Sequence, residues 1–180
     1  MKSIIFFAPL IVVNLWHGVV IGMGRVRGGA FASISESAVR SRRVFWAHRV
    51  VHVLGAGCFL VFAAVSLPSL RYIAVVLMAA AVLDALQALY LSEETDHAPL
   101  NMRDVHQRFA WVMAVSYLSF TVLFALHAQM PTLLLLSYGG ALVVAAGGNK
   151  VAQFRYFWAA QMLFFVLTSL VMAVSYMQHR

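Results

Sequence analysis

Charge is what this chain has least of. Only 11% of its 180 residues are Asp, Glu, Lys or Arg, and just six are acidic. A soluble surface needs roughly a quarter charged residues, so the scarcity excludes a soluble domain and makes the bilayer the solvent. Cysteine is nearly absent. Cys58 stands alone, so no intrachain disulfide can form, and its side chain reads as a small packed apolar group. Enzyme signatures are missing as well. No P-loop, no GxGxxG after a strand, no HExxH and no CxxCH occurs. Nucleotide hydrolysis, a dinucleotide fold, zincin proteolysis and covalent haem attachment therefore lack support. The glycines between Gly22 and Gly29 are interrupted by Arg25 and Arg27 and read as a loop.

Apolar side chains are abundant instead, at 63% of the sequence. Crossing a hydrocarbon core takes about 20 apolar residues per helix. The runs are continuous, unlike the alternating segments of about ten residues that build barrels. The expected fold is an all-α polytopic membrane helical bundle of about six transmembrane helices, with residues 1–180 forming one integral membrane domain. The spacing predicts spans over 4–23, 45–67, 72–91, 109–128, 132–147 and 156–177. The fifth is short, rising only about 24 Å if straight, and the Gly139-Gly140 pair interrupts it. Six spans, or five and a re-entrant segment, fit the pattern. The first run is long and no small-x-small cleavage site follows it, so it reads as a mature helix.

The net charge of +7 would point to nucleic acid in a soluble protein; here no nucleic-acid partner is expected, and the distribution of charge sets topology. Arg25, Arg27, Arg40, Arg42 and Arg43 fill the first connection, and Lys150 and Arg155 the fifth. The opposite connections carry only Arg71. The positive-inside rule then places the chain in a plasma (inner) membrane with both termini outside the cytoplasm. Ser33 and Glu36 form a capping box that starts the second helix about two turns before the membrane, on an extension carrying Arg40, Arg42 and Arg43. Asn101 and Asp104 start the fourth helix, with His106 and Arg108 on its first turns. Gly18 and Gly22, and Ala81 and Ala85, have the small-xxx-small spacing that lets helices pack closely.

Ionisable groups inside spans are costly and face a partner, a cavity or a cofactor. His17, His52 and Asp84 fall on three predicted helices, each roughly 9 to 12 Å inside the cytoplasmic boundary by the helical rise. Asn14, His48 and Gln87 lie three or four residues from them, on the same helical stripes.

Several uses fit this polar layer. His17 and His52 on separate helices match axial ligation of a b-type haem, in which case Asp84 needs another partner such as Arg49 or a propionate. His48, His52 and Asp84 offer the imidazole and carboxylate ligands of a transition metal, and His48 and His52 share one face. The expected function is then a haem- or metal-binding electron-transfer subunit of a larger membrane complex, an oxidoreductase component. With Asp96, His97, Asp104 and His106 added, the same metal set becomes a membrane oxygenase. The alternative is a proton-coupled transporter or channel that relays protons through His17, His52 and Asp84. A non-catalytic accessory subunit, held by other membrane subunits or a second copy, uses the layer only for packing. His48 has a bland reading too, snorkelling with Arg49 to the headgroups.

Overall fold

Long apolar runs in a medium without water must satisfy their own backbone, and the described runs do so as helices. The computed structural model describes residues 2–26, 33–67, 69–92, 104–129 and 157–179. Six α-helices form among them: α1 (Lys2–Val26), α2 (Ile34–Val39), α3 (Arg42–Ser66), α4 (Arg71–Tyr90), α5 (Val105–His127) and α6 (Phe157–His179). Four stretches are long and apolar enough to cross a membrane: Ser3–Met23, Arg42–Ser66, Arg71–Tyr90 and Val105–His127. The apolar part of α6, Gln161–Met177, is shorter. This is the make-up of an integral, multi-pass membrane protein. The expected span 132–147, with Pro131 and the Gly139-Gly140 pair, lies outside the described residues, as do Pro68, Asn101, Asp96, His97, Lys150 and Arg155.

The bundle is apolar on the outside and polar at its centre. Ile4, Leu15, Leu54 and Val75 are all at least 63% exposed, which suits lipid contact, whereas His17, His48, His52, Asp84 and Gln87 are buried. α1 packs against α3, α3 against α4 and α4 against α5, while α6 closes the bundle on α1 and α5. An aromatic core holds the end away from α2. There the Phe6 ring lies 4.5 Å from Phe62 and 4.6 Å from Tyr176, centroid to centroid, a spacing at which ring pairs attract beyond their area alone. A second apolar cluster, with Val20, Ile34, Ala38, Val44 and Leu91, closes the α2 end.

The Ser33 cap matches its signal, α5 is capped by Asp104 itself while the expected cap Asn101 lies outside the described residues, and one expectation needs correcting. Ser33 Oγ accepts from the Glu36 amide at 3.1 Å, and Asp104 Oδ1 accepts from the Gln107 amide at 3.0 Å. The capped segment, however, is not an extension of the second span. α2 ends at Val39, Arg40 and Ser41 turn the chain, and Ser41 is extended (φ −143°, ψ 120°) before α3 begins. Tertiary contacts account for the break. Ser37 Oγ donates to the Val20 carbonyl at 2.8 Å, and Gln161 Oε1 accepts from the Ile34 amide at 2.9 Å. They tie α2 across α1 and α6.

The glycine expectation also moves. Among the described residues a Cβ on Gly18 or Gly22 would meet nothing within 4 Å, so neither lets two of the described helices approach. That role belongs to Gly55, where a Cβ would lie 3.2 Å from Val13 Cγ2 and 3.7 Å from Pro9 Cβ. We expect Gly55→Leu to lower stability in a denaturant titration of the detergent-solubilised protein by about 1–3 kcal/mol through overpacking. Gly18→Leu leaves it unchanged or slightly raises it, since Leu favours helix.

Candidate functional site

The centre of the site is a buried carboxylate. Asp84 is 5% exposed, one turn and a half from the end of α4. Its Oδ1 lies 2.7 Å from His52 Nδ1 on α3. An ionised carboxylate only accepts, so His52 Nδ1 carries the proton and donates it. Gln87, one turn on, donates from Nε2 to the same oxygen at 3.2 Å, and the Tyr117 hydroxyl of α5 donates to Asp84 Oδ2 at 3.4 Å. Gln87 is itself held from α5, since His106 Nδ1 donates to its carbonyl at 2.7 Å.

The far nitrogen of His52 faces α1. With Nδ1 protonated, Nε2 presents a lone pair, and His17 Nε2 stands 3.1 Å from it. His17 Nδ1 is buried without a hydrogen-bond partner among the described residues. His48, one turn before His52 on α3, completes a triangle of rings with centroids 4.4 Å from His52 and 5.9 Å from His17. Trp16 Nε1 donates to His48 Nδ1 at 3.3 Å, and the Phe165 ring of α6 lies 4.6 Å from the His17 ring. All three imidazoles are at most 2% exposed.

One nitrogen from each of His17, His48 and His52 lies within 4.8 Å of the others, a group that could hold a metal ion. Two imidazole nitrogens about 2.0–2.1 Å from one ion at the tetrahedral angle stand roughly 3.3 Å apart, and the 3.1 Å between His17 and His52 is close to that. The carboxylate behind His52 is the usual outer support of a ligating imidazole, fixing its tautomer and orientation. With Nδ1 engaged by Trp16, a neutral His48 carries its proton on Nε2, so joining an ion requires it to give up that proton or the indole contact.

The haem reading does not fit this arrangement. Axial imidazoles lie about 2 Å on either side of the iron with a macrocycle between them, and two nitrogens in mutual contact at 3.1 Å leave no plane for one. Asp84 is likewise placed differently from its expected part as a ligand beside His48 and His52. It lies behind His52, on the other nitrogen, and the third imidazole within reach is His17. Arg49 does not pair with Asp84. Its guanidinium donates to the carbonyls of Leu89 and Leu91 at 2.9 and 2.6 Å, satisfying the C-terminal end of α4. His48 does not snorkel with it, being 2% exposed.

Residue spacing alone did not single out Trp16, Tyr117 or Phe165. Tyr117 carried a usable signal, a phenol deep in a span and far from either interface, where Tyr needs a partner. No family model, curated protein or solved structure matches this chain.

Removing Asp84 takes the acceptor from three buried donors at once, His52 Nδ1, Gln87 Nε2 and the Tyr117 hydroxyl, and a buried donor left unsatisfied costs about 1–3 kcal/mol. Asp84→Ala is expected to lower unfolding stability by about 3 kcal/mol in the same denaturant titration. A loss below about 1 kcal/mol would show that His52 and Asp84 are not paired.

Proposed function

We propose that this chain is a small integral membrane protein that holds one redox-active transition-metal ion on His17, His48 and His52 and works in membrane electron transfer. The observation that carries this reading is the buried triangle of imidazoles drawn from α1 and α3, backed by Asp84. Imidazole sets suit copper, iron, nickel and zinc. Burial favours a resident ion over cargo, because the α2 cluster stands between the rings and that end of the bundle. Trp16, in contact with His48 and only half-buried, provides an aromatic group between the rings and the bundle surface. An electron carrier needs a donor and an acceptor, so the reading includes partner subunits in the membrane.

The directions of the described helices belong to the same reading. The Ser3–Tyr176, Asn14–Ser169 and His17–Phe165 contacts set α6 antiparallel to α1. The chain alternates direction from α1 through α3 and α4 to α5, so α5 and α6 run parallel. Arg40, Arg42, Arg43 and Arg108 gather at the α2 end, the side the positive-inside rule assigns to the cytoplasm.

A specific observation favours a second reading. His17, His52 and Asp84 form an unbroken hydrogen-bonded line that Tyr117 extends. Such a line also suits proton relay in a transporter.

Detergent-purified protein expressed with copper and iron in the medium is expected to hold one equivalent of one of them, with a signal that changes on reduction. His17→Ala and His52→Ala abolish retention, and His48→Ala weakens it at least tenfold. Because protons compete with metal for imidazole, affinity falls as the pH is lowered. Protein that retains no metal, or zinc alone, contradicts electron transfer. Proton flux in metal-free liposomes that is lost in Asp84→Asn selects the relay.

A further inference from the structure

A cavity of about 40 Å³ lies directly beyond Asp84, on the side away from α2, lined by residues of all five long helices. Most of its wall is apolar, with Phe59, Phe164 and Met172 among the contributors, but polar groups converge on it: Asp84, Tyr117, Asn14, Thr168 and Ser169. Asn14 is spoken for on its amide side only. Its Nδ2 donates to the Leu10 carbonyl at 2.6 Å and to Ser169 Oγ at 2.7 Å. Its Oδ1 is buried with no partner among the described residues.

A water needs roughly 10–15 Å³ of such space and two to four polar partners. This cavity offers room for more than one, with a carboxylate, a phenol, hydroxyls and an amide around it. Purely apolar cavities of similar size stay dry. The other approach to the imidazoles is closed by the apolar cluster of Val20, Ile34, Val44 and Leu91.

We propose that this cavity is a water-binding port: bound water there bridges Asn14 to Asp84 and joins the buried polar line to the side of the bundle opposite α2. The port rests on the His17–His52–Asp84 line that both functional readings share.

X-ray radiolytic footprinting of the full chain in nanodiscs tests the port, because hydroxyl radicals formed from bound water oxidise the side chains beside it. Met172 lines the cavity and Met113 does not, while both are buried, at 1% and 4% exposure. Two thioethers of equal chemistry thus serve as probe and internal standard. Met172 is expected to oxidise at least threefold faster than Met113 in the unmodified protein. Asn14→Leu or Ser169→Leu, either of which fills the cavity, brings the ratio to about one. Equal rates in the unmodified protein overturn the proposal, and so does a ratio that both substitutions leave unchanged. Metal content measured on the same sample reads the site separately, so protein without metal but with fast Met172 oxidation loses only the metal reading.

Discussion

The bundle is organised around the contact between His52 and Asp84. A carboxylate placed at the centre of an apolar bundle must find donors among the helices around it, because lipid supplies none. Meeting His52 at 2.7 Å fixes the register of α3 against α4. The remaining lone pairs then recruit Gln87 from the next turn and Tyr117 from α5. The free nitrogen of His52 recruits His17 from α1. One buried charge thus sets the heights of four helices, and what surrounds it follows from satisfying or sealing those polar atoms.

Packing does the complementary work toward each end. Aromatic rings on α1, α3, α5 and α6 interlock around Phe6 at one end, and Gly55 lets α1 and α3 come close enough for His17 to meet His52. At the other end α2 lies across α1 and α6 and brings Ile34 and Ala38 over the rings. The polar layer is therefore enclosed by apolar material. Enclosure is what gives the imidazoles chemical interest, since electrostatic interactions are stronger in a low dielectric.

Depth was legible in the sequence, and direction was not. The helical rise is fixed, so counting residues from the span ends placed His17, His52 and Asp84 at one level, and the structure brings them into one hydrogen-bonded line. Counting cannot say which way a side chain turns. His48 therefore read equally well as a headgroup contact, and Arg49 as a partner for Asp84. The same limit explains Gly18 and Gly22, since in a membrane helix the lipid face and the packed face are both apolar and a small-xxx-small pattern fits either. The Ser33 cap was readable because capping is local, whereas the break at Arg40 and Ser41 depends on Gln161, more than a hundred residues away. Tyr117 escaped notice because a tyrosine among aliphatic neighbours resembles packing until Asp84 is set beside it.

The central claim is that His17, His48 and His52 converge on a single ion. X-ray absorption at the metal edge of protein loaded with one equivalent of copper or iron tests it most directly. The account predicts a first shell of nitrogen at about 2.0 Å, with the outer-shell scattering of two or three imidazoles that His17→Ala and His52→Ala each remove. A first shell without imidazole scattering, or the scattering of a porphyrin, would contradict it.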